Sequence, residues 1–393
     1  MNLEELEYIN VIIANSAVSF CHYDNNFCQG DKNQFMPIEL LRKVISFSSK
    51  HGLYLNILCG NESVPSELIE EINKADHLKF KPLNNSDNAE ECIVIVDEQD
   101  YNNASLLPAD KIETIILRIQ KKNLTDLAKL AGQYSERCRK LNIVLAGLEE
   151  YSPSDIYLYE EQMTDMASLF SERLKRGTIS EINCLSDRMV LKEMNNCNAG
   201  ITHVTFAPNG NFYLCPGFYH DNESGNIGNI RDGINIKNPD LLTLDKSPIC
   251  RICDAYQCKR CVYLNKKMTA EINVPSYEQC VLSHIERNVT RSLIAELKYS
   301  NSQFHHIADI DKLPYIDPFI KLKKHKGVVV SKKKNCINDL PPLEPLIISH
   351  TKMKNPAQTK KSDSKPLNEK EVLENIHNTQ VEILKMLKYL RGI

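Results

Sequence analysis

No apolar run in this sequence approaches the roughly 20 residues that a membrane-crossing helix needs, so no membrane span is expected. The amino terminus, Met1-Asn-Leu-Glu-Glu-Leu-Glu7, is acidic and lacks the positive start of a secretory signal. Net charge is nearly absent. Lys and Arg number 48 against 51 Asp and Glu, a balance of −3 that gives no general attraction to nucleic acid. No glycine-rich phosphate loop or dinucleotide fingerprint occurs. No Ser/His/Asp or Cys/His arrangement stands above chance, and no internal repeat is visible. The nucleotide-loop and triad-hydrolase classes are therefore not indicated.

What the chain does have is cysteine: fourteen in 393 residues. Without an export signal, so many thiols belong in a reducing cytosol, where they bind metal more often than they pair. Charged residues at 25% and apolar residues at 42% are an ordinary globular balance. The length suits two domains and a tail.

The first half alternates strand and helix. Tyr8–Ala14 is a continuous apolar run, consistent with a buried parallel strand. Pro37 opens a helix to about Lys50, closed by Gly52 as C-cap. A strand follows at Leu53–Cys59 and a helix from Pro65 to about Lys74. Further strands are expected at His77–Phe80, Cys92–Val96, Glu113–Ile119, Asn142–Gly147 and Ser180–Cys184, with helices at about Leu124–Lys140 and Ser154–Arg176. This argues for an α/β fold: a parallel sheet or a partial barrel of about six strands. Periodicity does not separate the two.

The stretch from Cys197 to Cys280 holds seven cysteines. Cys197, twelve residues, Gly210, four residues and Cys215 come first. Cys250-x2-Cys253-x4-Cys258-x2-Cys261 follows, and Cys280 closes the set. Two CxxC pairs this close are a strong metal signal, because two residues of slack let both thiolates reach one ion or cluster. Seven is one short of two four-ligand sites. Between Cys197 and Cys215, Pro208-Asn209-Gly210 joins two alternating apolar segments as a hairpin turn. A plain zinc knuckle of Cys250, Cys253, Cys258 and Cys261 is the alternative. His203 and His284 lie nearby and are assigned no ligand role. A helix from Ile285 to about Tyr299 is expected to close this segment.

This spacing resembles a SPASM domain, the module that follows the catalytic barrel in many radical S-adenosylmethionine (radical SAM) enzymes that modify peptides. The middle block of that family is usually C-x2-C-x5-C-x3-C, so this chain is one residue short in each of its last two gaps. The resemblance implies two auxiliary 4Fe–4S clusters. Cys197, Cys215 and Cys261 would hold the first, and Cys250, Cys253, Cys258 and Cys280 the second. The first then wants a fourth partner, for which Cys184 or a substrate cysteine is the expectation.

Just after the first strand come Cys21, Asn25, Phe27 and Cys28. Radical SAM enzymes carry CxxxCx(aromatic)C there, three thiolates that hold a 4Fe–4S cluster. Asn25 occupies the middle position, and a neutral amide is a poor ligand for cluster iron. His22 could substitute. The whole chain is similar to the CXXX-repeat peptide maturases. That resemblance implies a degenerate, partial (β/α)6 radical SAM-like barrel at 1–190 and a SPASM domain at 191–300. Composition adds a basic flexible linker at 301–366, and heptad spacing a C-terminal amphipathic helix at 367–393. The resemblance also implies a cysteine-repeat precursor peptide as partner and a role in peptide maturation. Whether S-adenosylmethionine is used stays open. A peptide-binding scaffold that serves a separate modifying enzyme is the alternative. Leu373, Ile376, Gln380, Ile383, Leu387 and Leu390 form an a/d seam, for which weak self-association or partner docking is expected.

Overall fold

The computed structural model describes residues 5–24, 34–85, 92–108, 112–177, 180–221, 225–301 and 304–308. All fall in the first of the chain's two units, Met1–Phe319. Asn25, Phe27, Cys28, the basic linker and the expected helix at 367–393 lie outside the described residues.

Strands β1 (Tyr8–Ile12), β2 (Tyr54–Leu58), β3 (His77–Pro82), β4 (Cys92–Val96), β5 (Ile112–Ile119), β6 (Cys138–Leu145) and β7 (Glu181–Ile182) follow one another in parallel across one sheet. Helices α1 (Ile38–His51), α2 (Ser66–Ile72), α3 (Leu127–Ser135) and α4 (Pro153–Lys175) lie among them in the chain. On the other side of β1 comes β8 (His203–Phe206), again parallel. Antiparallel β9 (Asn211–Tyr213), β10 (Gly228–Asn229) and β11 (Gly233–Ile234) complete the order β11-β10-β9-β8-β1-β2-β3-β4-β5-β6-β7. The cysteine-rich segment thus shares one sheet with the α/β half.

Side chains alternate between the two faces of a strand. Ile9, Val11, Leu55, Ile57, Val204 and Phe206 form one core with Leu41 and Val44 of α1 and Leu68 and Ile72 of α2. Ile12, Leu58, Phe80, Ile95 and Ile116 form a second core on the inner face. Tyr8, Asn10, Asn56 and His203 share that inner face and line a cavity.

Local signals explain most boundaries. Gly52 takes the left-handed φ of +65° that ends α1. Ser152 and Asp155 form a reciprocal capping box at the start of α4. The helix expected to reach Lys140 stops at Ser135, and β6 begins at Cys138. Pairing of Ile112 with Cys138 and Leu117 with Ile143 overrides the helical propensity of Glu136–Lys140. The strand expected at Ser180–Cys184 is only Glu181–Ile182, because α5 (Asn183–Val190) starts at once. Helices α6 (Pro216–Asp221) and α7 (Val262–Thr269) were not anticipated. The closing helix, expected from Ile285, is α8 (Tyr277–Ser300), and the Ser276 side chain accepts from the Gln279 N–H at its start.

Candidate iron–sulfur site

A cavity of about 530 Å³ lies over the inner face of the sheet. Strand residues Tyr8, Asn10, Asn56, Phe80, Ile116 and Asn142 line it from the sheet, and Cys197, Cys215, Cys258 and Cys261 from the cysteine-rich segment. The loop after β1 supplies Cys21, His22 and Tyr23. That loop is tied to the carboxyl ends of the strands, where sites of parallel α/β folds lie. His22 Nδ1 is 2.9 Å from the Leu145 carbonyl at the end of β6. Arg118, near the end of β5, donates from Nε to the Cys21 carbonyl (3.3 Å) and from Nη2 to the Tyr23 carbonyl (3.0 Å) and Asp24 Oδ1 (2.7 Å). Its other arm pairs with Asp97.

Four of the cavity's thiols are electrostatic neighbours. Cys21 and Cys261 act on each other most strongly, and Cys197 and Cys215 lie within reach of both. The neighbouring Cys261 draws Cys21 below the usual thiol range. Cys261 is raised, first by the neighbouring Cys21 and then by burial. Burial, with Cys21 nearby, pushes Cys197 up to about 11. Backbone N–H groups oppose these rises. Leu264 N lies 3.5 Å from Cys261 Sγ at the start of α7, Ala199 N–H serves Cys197, and Gly217 and Phe218 serve Cys215. Donors aimed at sulfur favour thiolate over thiol, and such bonds tune cluster sulfurs.

A second cavity of about 350 Å³ is lined by Cys250, Cys253, Cys258 and Cys280, with Met194, Pro248, Ile249 and His284. Ala255 N lies 3.4 Å from Cys253 Sγ, and His284 Nε2 lies 3.5 Å from it on the other side. Both expected cysteine sets therefore surround a space, and Cys258 borders both. Among the described residues no three His, Cys, Asp or Glu side chains are gathered tightly enough to grip one metal ion. Zinc would need four thiolates at about 2.3 Å from a single point. A cubane binds each thiolate on a different iron, so its ligands stand around a volume. The donor chemistry fits the cluster: thiols, sulfur-directed N–H groups and cavity walls.

Other polar groups lining the larger cavity carry no sequence motif. Glu286 is pushed up to about 7 by burial, which outweighs the bonds from Tyr159 (2.7 Å) and Gln257 (3.1 Å). Asn142 Oδ1, Gln257 Oε1, Gln279 Oε1 and His203 Nδ1 are buried without a hydrogen-bond partner. Burial lowers His203 to about 4, so the ring stacked on Tyr8 is neutral. A detectable signal existed for the asparagines. Ile9-Asn10-Val11, Leu55-Asn56-Ile57 and Leu141-Asn142-Ile143 each set one carboxamide in an apolar strand. Cys184, expected as the spare thiol, also lines the cavity, but its charged neighbours are Glu286 and Asp187.

The fold is an α/β partial barrel of parallel strands continued by a cysteine-rich segment. It is shared with solved structures of anSMEcpe. One, a histidine-tagged form with bound AdoMet, superposes with a TM-score of 0.54 at 13% identity, over 77% of this chain and 100% of that one. Another, the native protein with bound AdoMet and the Cp18Cys peptide, gives 0.53 at 13% identity, over 75% and 99%. A third, with AdoMet and the Kp18Cys peptide, gives 0.51 at 13% identity, over 74% and 99%. No family model and no curated protein matches the chain. No helix among the described residues is long and apolar enough to cross a membrane.

Proposed function

We propose that this chain is an iron–sulfur protein that takes part in maturing a ribosomally made, cysteine-rich peptide of the CXXX-repeat kind. The observation that carries the reading is the cavity on the sheet's inner face, walled by cysteines from the segment expected to bind clusters. Its unpartnered acceptors on Asn142, Gln257 and Gln279 suit the N–H groups of a peptide backbone. Structures of the same fold have been solved with peptides bound. Cys197, Cys215 and Cys261 would hold one 4Fe–4S cluster, and Cys250, Cys253, Cys258 and Cys280 the other. Bound clusters would supply one-electron transfer. The residues lining the cavity would seat the peptide, and Glu286 could take or give a proton near neutral pH.

Anaerobically purified protein should carry about eight iron and eight sulfide per chain. Cys253→Ala should halve both and leave the first site intact. Stoichiometric zinc without sulfide would sink the reading. A cysteine-repeat precursor should bind saturably in titration calorimetry, and a scrambled peptide of the same composition should bind more weakly.

A second reading, a peptide-binding scaffold serving a separate enzyme, is favoured by two observations. Asn25 stands where the cofactor-binding motif needs a thiolate, and Cys21 lines the same cavity as Cys261. Cleavage of S-adenosylmethionine by the reconstituted protein alone would reject it.

A further inference from the structure

We propose that Cys21, the first cysteine of the damaged motif, is the fourth thiolate of the Cys197, Cys215 and Cys261 site. The two halves of the chain then build one cluster together. The inference rests on the iron–sulfur reading above and concerns which residues complete it.

Four observations carry it. All four thiols line the same cavity, although Cys21 lies 176 residues before Cys197 in the sequence. Cys21 and Cys261 face the same space and lie near enough to act on each other electrostatically. Its backbone is held in place: Arg118, only 3% exposed, binds the carbonyls on both sides of His22 and the Asp24 carboxylate, and is itself fixed by Asp97. A loop fixed by a buried ion network presents its thiol at one position, which is what a preformed ligand requires. The rival thiol, Cys184, sits beside Glu286 and Asp187, and burial pushes it well above the ordinary thiol range. Cluster chemistry then supplies the reason. A cubane has four irons, each with a place for one ligand, and this segment alone offers the first site three thiolates.

One consequence follows for the first half of the chain. A thiolate committed to this site cannot also serve a cofactor-binding cluster in the loop after β1. With Asn25 in the middle position, that loop would keep Cys28 as its one remaining motif thiolate.

The test uses the full-length chain, reconstituted without oxygen from ferrous iron and sulfide. Wild type is compared with Cys21→Ser, Cys261→Ser, the Cys21→Ser/Cys261→Ser double variant, Cys184→Ser and Cys21→His. Readouts are iron, acid-labile sulfide, visible absorbance and low-temperature electron paramagnetic resonance. Cys21→Ser and Cys261→Ser should each lose about four iron, one cubane, and the double variant no more than either. Cys184→Ser should lose none. Cys21→His should retain iron with an altered spectrum, because imidazole can replace a cluster thiolate, and this separates lost ligation from lost folding. Full iron in Cys21→Ser overturns the proposal, and so does additive loss in the double variant. Wild type that takes up zinc but no sulfide would refute the iron–sulfur reading. The same variants then decide Cys21 by zinc count: loss in Cys21→Ser upholds the four-thiol site, and an unchanged count overturns it.

Discussion

Asp254 shows how a single side chain can hold the wall of a site. It follows Cys253, is 1% exposed, and faces Arg287 at 2.7 Å, Arg291, and Arg188 at 4.0 Å. Burial alone would raise its pKa. The Arg287 hydrogen bond and the three guanidinium charges outweigh that and hold it below the ordinary carboxylate range. Removing one partner of a buried pair strands the others, which costs about 3–5 kcal/mol. Asp254→Asn should therefore lower urea stability by about that much. In wild type this contribution is present above the ordinary Asp range and is lost only as pH falls through the depressed native value. Glu286 has the opposite sign. Its carboxyl, raised to about 7, binds a proton more tightly in the folded state, so stability falls as pH rises from about 4.5 to about 7. Glu286→Gln should flatten that slope and raise stability at pH 8 by up to about 3 kcal/mol. Denaturation curves at pH 5 and pH 8 decide it. A variant with the wild-type slope would show that Glu286 does not titrate there. Neither residue was legible in sequence, because each is set by partners more than thirty positions away or by burial.

At the scale of elements, the turn after Cys197 decides where the first thiol points. Asn198 and Gly200 take left-handed φ values of 58° and 79°. A Cβ on Gly200 would sit 2.6 Å from side-chain carbons of both Leu214 and Leu242. Gly200→Ala thus combines backbone strain with overpacking, and should cost about 2–4 kcal/mol. Because the turn carries Cys197, iron at the first site should fall while the second cluster remains. Loss of both clusters together would mean global unfolding instead. The hairpin from His203 to Tyr213 was legible, since Asn209-Gly210 between apolar alternations has few other uses. The start of α8 carries a legible sign as well, Ser276 followed three residues on by Gln279, ahead of the Ile285 at which the helix is expected. The end of α3 was not legible, because strand pairing across β5 and β6 decides it. That the cysteines between Cys197 and Cys280 gather along cavities was suggested by their spacing. Cys21 as their neighbour was not, because nothing in a linear spacing says that the loop after β1 turns back over the sheet.

The whole molecule makes sequence-derived boundaries at 190 and 191 an expectation about topology more than about folding. Strand β1 lies between β2 and β8, with Tyr8 in register with both Tyr54 and His203. One core joins Ile9, Val11 and Leu55 to Val204, Phe206, Phe212 and Val262. On the other side Tyr159 of α4 donates to Glu286 of α8, and Ser171 to Glu296. Detaching the cysteine-rich segment would uncover β1 as an apolar edge strand with unpaired backbone groups, a template for aggregation. It would also remove partners from a core that neither half closes alone. We therefore expect one cooperative thermal transition for the unit ending at Phe319, with or without metal, and no folded state for residues 1–190 alone. Bound clusters should raise the midpoint, because a ligand that binds only the folded state stabilises by mass action, and a site with thiolates from both halves ties them together. Calorimetry of the anaerobic holoprotein and of the chelated apoprotein is the check. Two resolved transitions in the apoprotein, or a soluble and cooperatively melting 1–190 fragment, would show that the halves fold independently, with the shared sheet only a contact between them.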